Sequence, residues 1–119
     1  MKTIVIEMPY INNLSVNSYR LSSRKGSTYS IKNSVKGWMV ELARKVSVYQ
    51  GLVQTPVFVT VSGTFKNKAS EPDMHNLDKV LCDALEMGLK LNDRSFRFRV
   101  GTVNYSSKDP VLKIVLEGE

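Results

Sequence analysis

Apolar residues in this chain recur at two intervals, and the order in which the intervals alternate limits the folds open to it. Ile4, Ile6 and Met8 fall on every second position, as do Val57, Val59 and Val61, the period of strands with one buried face. Between them Ile31, Val35, Trp38, Met39, Leu42, Val46 and Tyr49 recur at spacings of three and four. That pattern predicts an amphipathic helix capped by Ser30 and stopped by Gly51, with Trp38 in the core. A second stripe, Leu77, Val80, Leu81, Ala84 and Leu85, predicts a helix that starts near 73–76 and ends at Gly88. Phe96, Phe98 and Val100 then alternate with Arg97 and Arg99, and Leu112, Ile114 and Leu116 alternate with Lys113 and Val115. Ser106, Asp109 and Pro110 carry turn chemistry, so these last two strands read as a C-terminal hairpin. The expected fold is a single compact α/β domain over residues 1–119. Its mixed sheet is packed by two main helices in the order β, loop, α, β, α, β, β.

The segment 11–30 breaks this rhythm. Asn12, Asn13, Asn17, Arg20, Arg24, Lys25 and Gly26 give it a polar, basic character without period. Loops of this length in a compact domain are usually functional or mobile, which makes it a candidate for contacting DNA or a partner subunit; a plain insertion is the alternative. The charge distribution points the same way. Residues 1–70 carry ten Lys/Arg and two acids, whereas residues 71–119 carry seven and nine. A basic body with its acids gathered late suits a polyanionic partner together with a cation-binding or catalytic patch, although an ordinary basic surface would look similar.

Composition excludes several classes. With 42% hydrophobic and 24% charged residues the chain can bury a core and is not of the disordered type. One cysteine, Cys82, and one histidine, His75, allow no intramolecular disulfide and no Cys/His structural zinc site. Glu7 and Pro9 interrupt the only signal-like start, and no apolar run reaches membrane-spanning length, so a cytoplasmic protein with no membrane partner is expected.

The segment richest in chemistry is Pro72-Asp73-Met74-His75-Asn76-Leu77-Asp78-Lys79, continuing through Leu81-Cys82-Asp83-Ala84-Leu85 to Gly88. On a helix, Asn76, Lys79 and Asp83 fall close together on a side away from the apolar stripe, presenting amide, ammonium and carboxylate. Asp73 stands where a carboxylate is electrostatically favoured and where it could equally act as a cap. His75 could be an exposed helix-start residue, and Asp83 an ordinary helix-surface acid. Cys82 borders the apolar stripe and reads as inert packing, with no basic partner to make it a nucleophile.

These residues resemble a known family. Pro72-Asp73-x-x-Asn76, Lys79 three residues on, then Leu81-x-Asp83-Ala84-Leu85, Gly88 and the pair Asn92-Asp93 resemble the RusA family of Holliday-junction resolvases. Asn17-Ser18-Tyr19-Arg20 is similar to that family's N-terminal Asn/Tyr/Arg segment, so the likeness covers nearly the whole chain. The resemblance implies a homodimeric endodeoxyribonuclease that cuts four-way DNA junctions in recombination and repair, in a bacterial, prophage or phage setting. It also implies a divalent metal held by acidic residues and a catalytic lysine. Carried over residue by residue, it makes Asp73, Lys79 and Asp93 catalytic and Asp73, Asp93 and His75 the metal-binding set, with Asn76 and Asp83 in support. Two positions depart from the pattern. His75 stands where the family has a second aspartate, and Asn92 where it has the first acid of the later pair. Since Mg2+ prefers oxygen donors and imidazole suits softer ions, one consequence is weaker Mg2+ binding with a relative shift toward Mn2+. The other is a catalytically weakened or silent junction-binding dimer. Arg20, Arg24, Lys25, Lys32, Lys36, Lys66 and Lys68 are the expected contacts to backbone phosphates, which give affinity without sequence information.

Overall fold

The structure is a computed structural model describing residues 2–12, 14, 20–22, 29–31, 33–106 and 108–118, the segments 20–22 and 29–31 by their backbone alone. Its strands are β1 (Lys2–Pro9), β2 (Arg20–Ser22), β3 (Tyr29–Ile31), β4 (Val57–Phe65), β5 (Phe96–Tyr105) and β6 (Val111–Gly118). Its helices are α1 (Asn33–Ser47) and α2 (Asp78–Leu89). Four strands form a mixed sheet in the order β1-β6-β4-β5, with only the β4–β5 pair parallel.

Register carries the apolar positions into rows. Ile4 pairs with Leu116, Leu116 with Val59, and Val59 with Phe98; one step along, Ile6, Ile114, Val61 and Val100 make the next row. Because side chains alternate across a strand, these rows share one face, and both helices lie on it. Burial falls on every second residue of β1 and β4, as their period predicts. On α1 the residues Val35, Trp38, Met39, Leu42 and Val46 are buried, and on α2 Val80, Leu81, Ala84, Leu85 and Leu89. Trp38 is core, its indole N–H donating to the Pro9 carbonyl at 2.6 Å. Each fully buried aliphatic side chain contributes about 1.5–3 kcal/mol, so the two helix stripes hold most of the layer together.

The expected class, mixed sheet and two main helices are present, and four local features differ. β5 and β6 are not a hairpin, because β4 lies between them. β6 is buried along a whole face between two neighbours, whereas β5, with Arg97, Arg99 and Asn104 exposed, has the charged composition an edge strand tolerates. Within the expected loop, β2 and β3 form a separate antiparallel pair. Ile31 belongs to that pair, so α1 begins at Asn33 and not beside Ser30. Finally, α2 is entered through a 3-10 turn over Met74–Leu77, and it is closed by Lys90 in the left-handed conformation (φ 60°), not by Gly88.

Gly88 has another task. It is buried where α2 crosses α1, and a Cβ there would run into the Ala43 carbonyl and the Val46 methyl group. Gln50 donates to the Gly88 carbonyl at 2.6 Å, fastening the same crossing. Gly37 on α1 is the opposite case, with nothing near the position of a Cβ. In urea denaturation Gly37→Ala is expected to raise stability by about 0.5–1 kcal/mol, the helix-propensity gain. Gly88→Ala should lower it by about 1–3 kcal/mol, because overpacking outweighs the same gain. Equal signs for the two substitutions would contradict the tight crossing.

Candidate functional site

Parallel pairing of β4 and β5 requires the chain to return across the sheet, and α2 is that return. Its polar side therefore runs beside edge strand β5, leaving a cleft of about 620 Å³ between them. The cleft is lined by His75 and Asn76 from the entry turn; Asp78, Lys79, Cys82 and Asp83 from α2; Asp93 from the turn before β5; and Phe96, Arg97 and Phe98 from the start of β5.

Five of the residues singled out from the sequence thus meet: His75, Asn76, Lys79, Asp83 and Asp93. Lys79 Nζ donates to Asp83 Oδ1 at 3.1 Å, one helical turn apart, which holds the ammonium group over the cleft wall. As a partly exposed pair this contributes only about 0.3–0.5 kcal/mol to stability, so its consequence is orientation. Asp73 is not among the cleft residues. It caps the entry turn, its Oδ1 accepting from the His75 N–H at 3.1 Å. Just before it, Glu71 accepts from the Tyr105 hydroxyl at the far end of β5, whereas Asp93 precedes the near end.

Of the expected phosphate contacts, Lys36, Lys66 and Lys68 are exposed. Arg20 opens β2, where only the backbone is described, and Arg24, Lys25 and Lys32 lie outside the described residues.

Asp78, Glu86 and Arg97 were not singled out from the sequence for this site. Asp78 Oδ1 accepts from the Cys82 Sγ at 3.1 Å, an i, i+4 contact that helical spacing could have revealed. Glu86 Oε2 accepts from the Asp93 N–H at 2.8 Å. Glu86 shares the face of Lys79 and Asp83, but the helix ends before Asp93, so no periodicity links them. Arg97 donates to the carbonyls of Arg94 and Phe96 at 2.7 and 3.2 Å, which sets its guanidinium at the cleft.

Among the described residues no three of His, Cys, Asp and Glu are grouped closely enough to cage a metal ion. The donors around the cleft nonetheless fit Mg2+ chemically. That ion is ordinarily held by one or two carboxylates and completed by waters and substrate phosphates, not by an all-protein cage. Asp78, Asp83 and Asp93 are the lining carboxylates that could take part, and His75 adds a donor suited to a softer ion.

Cys82 sits among the carboxylates of the cleft. Burial pushes its thiol pKa up, the hydrogen bond to Asp78 adds to this, and the charges of Asp78, Asp83 and Asp93 act in the same direction. The cysteine is therefore held neutral, in keeping with its reading as packing. A folded pKa above the unfolded one contributes stability that is whole below the ordinary thiol value of 9.0 and is lost as pH rises past it. Alkylation of Cys82 at pH 8 is expected to run about 100-fold slower in the folded protein than in the urea-unfolded chain. Equal rates would mean that the thiol is neither buried nor shielded by these carboxylates.

Comparison with known proteins fits this geometry. A search of curated proteins found no match. The family pattern for Endodeoxyribonuclease RusA matches residues 15–117, which takes in the 72–93 segment, the cleft and all four strands of the sheet except β1. The chain belongs to the RusA endodeoxyribonuclease family.

Proposed function

We propose that this protein is a divalent-metal-dependent endonuclease that cleaves four-way DNA junctions as a homodimer, in recombination and repair. The observation that carries the reading is the shared cleft, in which Lys79 and Asp83 from α2 come together with Asp93 from the turn that follows the helix. Hydrolysis of a phosphodiester needs an oriented water, neutralised nonbridging oxygens and support for the departing oxygen. A bound divalent cation, Mg2+ or Mn2+, supplies charge neutralisation and activates the water. In our reading Asp93 would hold it, with His75 as a further donor and Asp73 approaching from the entry turn. Lys79, oriented by Asp83, would stabilise the negative charge that builds up on the phosphate. Asn76 would orient a water or a ligand. Lys36, Lys66 and Lys68, together with Arg20, Arg24, Lys25 and Lys32, would engage backbone phosphates. Recognition of a branch then depends on the shape and spacing of two symmetric charged surfaces, which makes the dimer part of the mechanism.

A second reading is favoured by one observation: His75 lines the cleft at the position where the resemblance implies an aspartate. A junction-binding dimer with weakened or silent catalysis would follow from it. Cleavage of synthetic four-way junctions separates the two readings. Under the first, symmetric nicking with Mg2+ or Mn2+ is expected, and Asp93→Asn should reduce it by about 100-fold or more. Asp73→Asn is informative because asparagine caps a turn as well as aspartate does. Loss of cleavage in a fully folded variant marks Asp73 as chemical, and full retention reduces it to a cap. Binding without cleavage in either metal supports the second reading. His75→Asp is expected to raise Mg2+-dependent cleavage several-fold, and a fall would show that the imidazole has a role of its own.

A further inference from the structure

The short link between α2 and β5 is fixed at both ends by one residue. The Glu86 main-chain carbonyl accepts from the Lys90 N–H at 2.9 Å, closing the helix, and its side-chain Oε2 accepts from the Asp93 N–H at 2.8 Å. Glu86 is half-buried and so restricted in rotamer, and its carboxylate makes a charge-assisted bond, the stronger kind. Besides its backbone bonds from the Ser95 N–H to the Asn92 carbonyl and from the Phe96 N–H to the Asp93 carbonyl, the turn Asp93–Ser95 is held by two further side-chain bonds. Asn92 Oδ1 accepts from the Arg94 N–H at 2.9 Å, and Arg97 donates to the Arg94 carbonyl at 2.7 Å. The Asn92 bond is local, and Arg97 belongs to the strand that the turn leads into. The Glu86 bond ties the turn to α2, the helix that carries Lys79 and Asp83.

From this geometry we infer that Glu86 is the positioning residue for Asp93: by gripping its backbone N–H, it sets the distance between the Asp93 carboxylate and the Lys79–Asp83 pair across the cleft. The inference rests on the proposed role of Asp93. Reacting groups tolerate little displacement, so a loosened turn lowers catalysis even with every cleft side chain present.

The test compares Glu86→Gln, which keeps an acceptor oxygen without the charge, with Glu86→Met, which keeps the length and removes the acceptor. Three readouts are taken on the full chain: hydrogen exchange of the Asp93 amide by NMR, Mn2+-induced broadening of resonances near Asp93, and junction cleavage, with junction binding in EDTA as a control. Glu86→Met should unprotect the Asp93 amide, weaken the broadening and cut cleavage about 10- to 100-fold, the usual cost of losing a supporting partner. Binding in EDTA should stay within about twofold, because Glu86 is not proposed to touch DNA. Glu86→Gln should restore protection and most of the cleavage. Cleavage by Glu86→Met equal to wild type, or Glu86→Gln as impaired as Glu86→Met, overturns the positioning role while leaving the function intact. If Glu86→Met does not fold, an unprotected Asp93 amide in wild type or in Glu86→Gln overturns it as well. A wild-type protein that neither cleaves nor shows Mn2+ broadening instead defeats the reading of Asp93, and the inference falls with it.

Discussion

Parallel pairing of β4 with β5 is the constraint from which the rest of the molecule follows. Parallel neighbours cannot be joined by a tight turn, so the chain must cross the sheet between them, and here α2 makes the crossing. The helix buries Val80, Leu81, Ala84 and Leu85 against the sheet and α1, which turns Lys79 and Asp83 toward the edge where β5 begins. Asp93 lies in the turn that ends the crossing. Residues separated by most of a helix in sequence are therefore opposed in space, and the Glu86 bond to the Asp93 N–H ties the two sides together.

Periodic features were legible in the sequence, and features that depend on the choice of neighbour were not. Ile4/Ile6/Met8, Val57/Val59/Val61 and the two helical stripes announced the buried faces, because burial acts on every second or every third and fourth residue whatever lies opposite. The order of strands is a different kind of information. A short polar connection between two alternating runs reads as a hairpin, but β6 with its buried face fits the centre of the sheet better than β5 with its arginines. The chain accordingly passes from one flank of β4 to the other between Tyr105 and Val111, and the Ser106 N–H donates to the Phe65 carbonyl at the start of that passage. Gly88 was misread for a related reason. Glycine after an apolar stripe suggests a helix stop, and only the partner helix reveals that the missing Cβ makes room for Ala43.

The candidate site shows the same division. Helical spacing brings Asn76, Lys79 and Asp83 together in the sequence, and they do meet at the cleft although Asn76 sits in the entry turn and not on α2; Asp93 joins them through the family likeness. Glu86 and Arg97 carry no periodic signal, because their parts are set by a backbone N–H seven residues away and by the carbonyls of Arg94 and Phe96, whereas the Asp78 contact to Cys82 follows helical spacing. Charge separates the surfaces as well. Acids gather at the cleft, while Lys36, Lys66 and Lys68 stand exposed on other elements. Under the proposed function, a long anion would be held by such lysines while one of its linkages is brought to the carboxylates.

Both helices cover the same face of the sheet, and at Gly88 they pack with no room for a Cβ. The wall of the cleft formed by α2 is thus braced from behind by a contact on its far side, remote from any reacting group. Because α2 is one wall of the opening and its far side rests on α1, a larger residue at Gly88 or Ala43 would press on that wall while every side chain facing the cleft stayed the same.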